Sequence, residues 1–203
     1  MKVNTFRPMN LRLAPAILLV TLSGCSVVKM SRVRDDWPTA FADKVKRLTV
    51  VVQPPPDGQQ KAGEAWTRIV RRYVNMKRNF LVRAELVSTE PVTLAAVCVE
   101  GTEGMLWLKP VVTPKGDGFE ASVEAKLLRC GDGVELWAGE AGGSFPVKDD
   151  KLIEVTAMYG KEYAPEVERY IPLAMNLLRP LLDTLPNPVL TKEEEDEKVT
   201  VDE

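Results

Sequence analysis

The chain has 203 residues, of which 45% are hydrophobic and 28% are charged, a composition typical of one globular domain with a sizeable core. Its net charge of −2 is unevenly spread: residues 1–24 carry three cations and no acid, and residues 191–203 carry seven acids and two lysines. The residues between are neutral overall, which does not favour nucleic acid as a partner. The absence of histidine excludes Ser-His-Asp, Cys-His and HExxH sites, so we predict a protein that is not an enzyme.

The amino terminus has the layout of a bacterial lipoprotein signal peptide. Three cations precede a ten-residue apolar run, residues 13–22. A helix of that length covers about half of a ~30 Å hydrocarbon core, so a membrane-spanning helix is disfavoured. The run ends in a motif that resembles the lipobox, where signal peptidase cuts before a lipid-modified cysteine: Leu22, Ser23, Gly24 and Cys25. We predict a cleaved leader, residues 1–24, and covalent lipid such as palmitate on Cys25 as the chain's only added group; an ordinary secretory signal is the alternative.

The residues after the cysteine indicate where the protein is held. Ser26 stands where an aspartate is associated with inner-membrane retention in many Gram-negative species. We therefore predict anchoring in the outer membrane, facing the periplasm. Residues 25–44 are predicted to be the lipid anchor and a tether. The cations of this tether, such as Lys29 and Arg32, either rest on anionic lipid or simply solvate a linker.

A single globular domain is predicted for residues 45–188, and it opens with a strand, a helix and a second strand. Residues 48–52 are apolar and β-branched, as in a buried strand, and residues 80–87 form the next strand. Apolar residues at helical spacing predict an amphipathic crossover helix over 60–79, which places the two strands parallel. Five cations on its other face either bind an acidic partner or lipid headgroups, or are merely solvated: Arg68, Arg71, Arg72, Lys77 and Arg78.

The rest of the domain is predicted to complete the sheet and to cover it. Residues 92–99 form a short helix or an edge segment. A hairpin follows, with Asp117-Gly118 at the centre of its turn, so that Val112 pairs with Val123 and Leu108 with Leu127. Residues 134–138 form another strand.

Helices follow at 149–160, capped by Asp149 or Asp150, and from residue 165. The predicted fold is therefore α/β (α+β): a mixed sheet of about five strands, with the crossover helix and the carboxy-terminal helices packed on it. Residues 189–203 are predicted to be an acidic, disordered tail.

Two cysteines remain after processing. The oxidising periplasm favours a disulfide between Cys98 and Cys130, although two reduced core cysteines remain the alternative. Two thiols without histidine leave a metal coordination shell half filled, so no metal site is predicted. A cell-wall enzyme that works with carboxylates is the least favoured hypothesis, and its candidate residues are Glu100 and Glu103.

Four short motifs carry a resemblance to known proteins: RYVN at 72–75, CVEGTEGMLW at 98–107, LRCGDGVELW at 128–137 and LPNP at 185–188. They look like an uncharacterised outer-membrane lipoprotein family of myxobacteria and spirochaetes. More loosely, the chain is similar to envelope proteins that include the curli secretion lipoprotein, the amino-terminal domain of the Tol propeller protein and the lipoprotein activators of peptidoglycan synthases.

This resemblance implies a structural or adaptor component of an envelope assembly, with a protein partner or further copies of itself. The chain lacks clear extra strands for a membrane barrel, so pore formation is not expected. A lipid or small-molecule carrier is the alternative, and it needs a dry pocket between the sheet and the helices.

Overall fold

A six-stranded mixed sheet organises the fold, as seen in a computed structural model that describes residues 27–55 and 60–201, with side chains up to residue 198. Its strand order is β1-β6-β5-β4-β2-β3. The strands are β1 (Val28–Val33), β2 (Arg47–Val52), β3 (Leu81–Val87), β4 (Gly104–Lys115), β5 (Gly118–Arg129) and β6 (Glu135–Pro146). The predicted fold class is confirmed, and β1 is one strand more than the sequence indicated.

The predicted strand–helix–strand unit opens the parallel part of the sheet. Strand β2 pairs in parallel with both β3 and β4. Helix α1 (Gln60–Lys77) connects β2 to β3, and its apolar stripe, which includes Trp66 and Val70, is buried against the sheet. The polar side chain of Asn75 is also buried. Its oxygen accepts the backbone N–H of Val82 at 2.9 Å, which compensates for the loss of water. That bond satisfies a buried backbone donor at the start of β3.

The β4–β5 hairpin forms, but its predicted register is wrong by two residues. Lys115 pairs with Gly118, so Gly116 and Asp117 are the turn residues, and Val112 lies opposite Ala121 rather than Val123. Leu108 likewise lies opposite Ala125 rather than Leu127. Gly116 has φ +61°, a conformation that glycine adopts without steric cost. A two-residue shift leaves every side chain on its original face, so the apolar face still packs inward.

The carboxy-terminal helices cover the same face of the sheet as α1. Helix α3 (Ile153–Glu162) follows a 3₁₀ turn at which Asp149 accepts the N–H of Lys151 at 3.0 Å. The helix predicted from residue 165 is divided into a 3₁₀ segment, Pro165–Tyr170, and α4 (Ile171–Leu182). Pro172 lies in the first turn of α4, where its missing N–H needs no partner.

The two faces of the sheet are unequally covered. The main core lies beneath α1 and α4, and its largest side chains include the fully buried Trp66 and Trp137. On the other face, the short helix α2 (Leu94–Val97), which confirms a prediction for residues 92–99, covers a small cluster of Val51, Val97 and Met105. Elsewhere this open face carries exposed side chains of β4 and β5: Lys109, Val111, Glu120 and Glu124.

The described part of the predicted tether, residues 27–44, is folded. Strand β1 pairs antiparallel with β6, with Arg32 opposite Ala138. A short helical turn follows, Trp37–Phe41, whose two aromatic residues are buried in the main core. The cation-rich sequence of this part resembled that of a linker. Strand β1 lies at the edge of the sheet, and an edge strand accepts charged side chains along its open side, so the same composition also fits a strand. The tether prediction for residues 25–44 is therefore wrong over this part.

Candidate functional surfaces

The predicted lipobox, Leu22, Ser23, Gly24 and Cys25, lies outside the described residues. The first described residue, Val27, is held firmly in the domain. Its carbonyl accepts the backbone N–H of Gly142 at 2.8 Å, and its side chain packs against the main core. Two peptide units connect Val27 to Cys25, so their Cα atoms are at most about 7.6 Å apart. The predicted lipidation position is thus connected to the sheet almost directly.

The five-cation face of α1 is largely committed to contacts within the chain. Glu85 of β3 accepts a hydrogen bond from Arg71 at 2.7 Å and lies 3.0 Å from the guanidinium of Arg68. A hydrogen bond to Tyr163 raises the pKa of Arg68 above its usual value. These partners attach the helix to the neighbouring strand and to the segment after α3.

The remaining cations of this face lie nearer the end of the helix. Arg72 donates to the hydroxyl of Tyr159 at 3.2 Å, and its guanidinium lies over the same ring, 5.4 Å from the centroid. Arg78 donates to the carbonyl of Leu185. Lys77 is exposed. The face therefore acts first as a set of structural contacts, which leaves less of it for an acidic partner than the sequence suggested.

The predicted disordered tail instead begins with a capped helix, α5 (Lys192–Val201). Thr191 and Glu194 form a capping box. The side chain of Glu194 accepts the N–H of Thr191 at 2.8 Å, and the hydroxyl of Thr191 accepts the N–H of Glu194 at 3.4 Å. The Thr-x-x-Glu spacing is a helix-start signal that the sequence contains but that its acidic composition obscured.

Helix α5 is fastened by ion pairs that we call the tail clasp: Lys46, Arg47, Arg83, Glu194 and Glu197. Lys46 and Glu194 meet at 2.6 Å, with only 9% and 13% of their side chains exposed. Arg47 bridges Glu197 at 2.8 Å and Glu194 at 3.4 Å, and Arg83 also pairs with Glu197. The disorder prediction is therefore wrong for residues 192–201, because cations at the start of β2 and on β3 neutralise the acidic helix.

The charge state of the tail clasp follows from these contacts. Burial disfavours the ionised form of Glu194, but hydrogen bonds from Lys46 and from the N–H of Thr191 outweigh it, so the pKa of Glu194 lies below its usual value. The hydrogen bond to Glu197 is the largest of the causes that raise the pKa of Arg47. Both groups are thus held in their charged forms.

The two candidate catalytic carboxylates have different surroundings. The side chain of Glu103 accepts the backbone N–H groups of Lys46 at 2.7 Å and of Arg47 at 3.0 Å, and also the guanidinium of Arg47 at 3.2 Å. It therefore joins the start of β2 to the start of β4. Glu100 is exposed in the loop before β4. This geometry gives Glu103 a structural role.

The predicted disulfide is present. Cys98 and Cys130 are bonded, with their Cα atoms 5.4 Å apart. The bond joins the end of α2 to the residue after β5, and the N–H of Cys130 also donates to the carbonyl of Glu103 at 3.0 Å. The covalent link and the Glu103 contacts therefore reinforce the same part of the sheet.

The sheet has two distinct ends. The disulfide end comprises the Cys98–Cys130 bond, the starts of β2, β3 and β4, and α5, since Arg47 pairs with Leu81 and Leu48 pairs with Gly104. The hairpin end comprises the Gly116–Asp117 turn and the end of β6, since Gly118 pairs with Pro146. The start of β1 lies nearer the middle of the sheet, because Val28 is opposite Ala141. The hairpin turn and the tail clasp thus lie at opposite ends of the sheet.

The surface clefts of the described residues include two of different character. One, of about 720 Å³, is lined by charged groups of β1 and the β6 region, including Arg32, Arg34 and Glu135. The other, of about 480 Å³, lies at the hairpin end and has apolar walls that include Val147, Ile153 and Pro172. The space between sheet and helices, where a carrier would need its pocket, is occupied by buried side chains of the main core.

Within residues 27–55 and 60–201, no helix combines the length and the apolar character that crossing a membrane would require. In the same residues, no three His, Cys, Asp or Glu side chains are grouped closely enough to hold a metal ion.

Comparison with known proteins gives similarities of structure only. No protein-family model matches the sequence, and no curated protein does. A chain of a PelC variant dodecamer from Paraburkholderia phytofirmans aligns with 68% of this chain and with 89% of its own length, at 13% sequence identity and a TM-score of 0.41. Lipoprotein GNA1162 from Neisseria meningitidis aligns with 58% of this chain and with 97% of its own length, at 14% sequence identity and a TM-score of 0.38. Uncharacterised lipoprotein B from Nitrosomonas europaea aligns with 72% of this chain and with 96% of its own length, at 16% sequence identity and a TM-score of 0.21. These similar structures include bacterial lipoproteins, but similarities of this size do not assign the chain to a family.

Proposed function

We propose that this protein is a lipid-anchored lipoprotein of the outer membrane that faces the periplasm and acts as a non-enzymatic structural or adaptor component of an envelope assembly. The observation that carries the proposal is the lipobox-like motif ending at Cys25, two residues before Val27, from which the domain is folded. An anchor so close to a folded domain suits a protein that holds a partner at a membrane.

Two further features support an adaptor over an enzyme. Glu103, the better placed of the two candidate carboxylates, is occupied by three donors that join β2 to β4. The open face of β4 and β5, in contrast, presents a mixture of exposed apolar and charged side chains, such as Val111 and Glu124. Non-obligate protein interfaces are about as apolar as the rest of a protein surface, so a mixed face can serve as one, and we expect either an envelope protein or a second copy of this chain as the partner.

The anchor is tested by Cys25→Ser, with Ser26→Ala as the matched control that keeps the cysteine. Labelling of growing cells with a palmitate analogue should mark the wild type and the control but not Cys25→Ser. Fractionation should then find Cys25→Ser in the soluble periplasm. A Cys25→Ser protein that remained membrane-bound and functional would contradict the proposal.

The adaptor role is tested by cross-linking in intact cells, followed by detergent extraction, sizing and mass spectrometry. We expect a discrete complex, with an envelope protein or with further copies of the chain. The Cys25→Ser variant serves as the control, because it should lose those partners that are met only at the membrane. A lone monomer in wild-type cells would rule out the adaptor role.

One observation favours a carrier as the second candidate. Ile153 is 60% exposed at the apolar cleft of about 480 Å³ at the hairpin end. A lipid chain bound there would co-purify with a monomer and be released by Ile153→Glu, while Lys161→Glu on the exposed surface of α3 should leave it bound. Co-purified lipid that is lost only from Ile153→Glu would favour the carrier.

A further inference from the structure

We propose that the three cations of the tail clasp, Lys46, Arg47 and Arg83, form a docking surface for an acidic helix of a partner protein, and that α5 is the chain's own cover for this surface. The inference rests on the proposed adaptor role, because it assigns the chemistry of the partner. It does not depend on the lipidation of Cys25.

The first step is that α5 is not part of the apolar core. Leu185 is the last residue along the described chain that belongs to the main core, and none of the α5 side chains at 192–198 is buried. Helix α4, in contrast, buries an apolar stripe that includes Leu178 and Leu181. A helix that is polar on all sides lacks the apolar stripe through which most helices dock. Helix α5 can therefore leave the surface while the core stays packed.

The second step is the match between the charges of α5 and those of the surface. Glu194 and Glu197 are three positions apart, so their side chains project from the same face of the helix. Lys46 lies 2.6 Å from Glu194. Arg47 lies 2.8 Å from Glu197, and Arg83 pairs with the same carboxylate. An acidic helix with two carboxylates at this spacing presents the same face to the three cations.

The third step is the charge that remains when α5 leaves. Among the described residues, Arg47 keeps an acidic partner outside α5, because Glu103 lies 3.2 Å from its guanidinium. Lys46 and Arg83 have their ion pairs with α5 alone in this part of the chain. The cations belong to the start of β2 and to β3, so one small anion does not reach all of them. Two carboxylates on one helix face do, as α5 demonstrates.

The fourth step is that the cover is tethered but held by exchangeable contacts. The N–H of Val189 donates to the carbonyl of Ala42 at 2.7 Å, and α5 begins three residues later at Lys192. So short a tether gives α5 a high effective concentration at the surface, which excludes weak acidic ligands. Ion pairs are screened by salt, and the lost hydration of a buried pair offsets its attraction. A partner helix that binds more tightly can therefore displace α5.

The test uses the full chain, with a fluorescent peptide of the sequence 190–201 as the acidic helix. Glu194→Gln/Glu197→Gln, the opened variant, removes both carboxylates that hold the cover. Glu195→Gln/Asp196→Asn is the matched control, because it removes two exposed acids of the same helix. By fluorescence anisotropy, we expect the peptide to bind the opened variant at least about tenfold more tightly than the wild type or the control.

Further variants identify the surface to which the peptide binds. Arg83→Gln added to the opened variant should remove most of the binding, while Lys109→Gln on the open face should not. A chain that ends at residue 190 should bind like the opened variant, and a peptide with Gln at positions 194 and 197 should not bind. Absence of binding to both opened chains, equal binding to the wild type, or equal binding of the two peptides would overturn the docking surface.

In cells, a photo-cross-linking side chain at the exposed position of Asn79 identifies the segment that docks, because Lys198 of α5 donates to the neighbouring carbonyl of Arg78. The opened variant should give a stronger adduct than the wild type, and mass spectrometry should place it in an acidic segment of the partner. An adduct with a segment that lacks acids, or with α5 of a second copy, would overturn the assignment to a separate acidic partner. A chain without partners in cells, whose opened form still binds the peptide, would overturn the adaptor role and leave the docking surface standing.

Discussion

At the scale of single residues, the close approach of α4 to the sheet depends on a missing side chain. A Cβ atom added at Gly139 of β6 would lie 2.7 Å from Cδ1 of Leu181 and 2.7 Å from Cζ2 of Trp137. Leu181 and Trp137 are both fully buried in the main core, so neither can move aside without disturbing its neighbours. Glycine at this position therefore lets a buried tryptophan and a helix share one site on the strand.

We accordingly expect Gly139→Ala to destabilise the domain. Overpacking of a well-filled core costs about 1–3 kcal/mol, and the free energy of unfolding should fall by that amount in urea titrations. Gly131→Ala is the matched control, because a Cβ atom there meets nothing within 4 Å. Equal stability of the two variants would show that α4 can shift away from β6 without loss.

At the scale of elements, α5 is the part of the fold held most by charge. The Lys46–Glu194 pair is partly buried, and the same glutamate caps the helix through Thr191. We expect Glu194→Gln to weaken the docking of α5 by about 1–3 kcal/mol, because a buried cation loses its charged partner. Glu195→Gln, on the exposed side of the same helix, is the control. Amide exchange should show lost protection in α5 for the first variant alone, and protection retained by both would contradict this account.

The pKa of Glu194 gives the same helix a dependence on pH. Despite the opposing effect of burial, hydrogen bonds from Lys46 and Thr191 hold this pKa below the ordinary 4.5. A lowered folded-state pKa contributes stability that is present above the unfolded value and is lost as the pH falls through the folded one. Protection factors of α5 should therefore decline below about pH 4.5. They should decline less in Glu194→Gln, where the titrating group is absent; equal declines would assign the effect to other acids.

Helices and strands whose apolar residues recur with a clear period were predictable from the sequence, and elements that are fixed by contacts distant in the sequence were not. The stripe through Trp66 and Val70 predicted α1, and alternation predicted both strands of the hairpin, though not the turn that Gly116 selects. Strand β1 was missed because its cations resemble those of a linker, and α5 was missed because its stabilising partners lie about 150 residues earlier. The Thr191–Glu194 capping signal was present but local, and it could not reveal Lys46 and Arg47 as partners.

The candidate functional residues follow the same division. The Cys25 lipobox is a local motif, and it remains a prediction from the sequence. The Cys98–Cys130 pairing was inferred from the compartment that this motif implies, and the structure confirms the bond. The cation face of α1 could not be judged from spacing alone, because Glu85, which holds two of its arginines, belongs to another element.

At the scale of the whole molecule, the stabilising links gather at one end of the sheet. The disulfide, the Glu103 contacts and the tail clasp all reinforce the disulfide end. The hairpin end, in contrast, closes with a two-residue turn, Gly116 and Asp117, whose residues are both exposed.

The disulfide should stabilise the domain as a whole. It joins residues separated by 32 positions, and a loop of that length contributes about 3.7 kcal/mol through the entropy of the unfolded chain. The double variant Cys98→Ser/Cys130→Ser should lose about that amount in urea unfolding, with wild-type protein treated with reductant as the matched control. Because the effect acts on the unfolded state, amide protection should fall throughout the core, including α1 and β5 far from the bond. Protection lost only in α2 and the turn after β5 would instead show that the bond fastens this end locally, and that the rest of the sheet is stable without it.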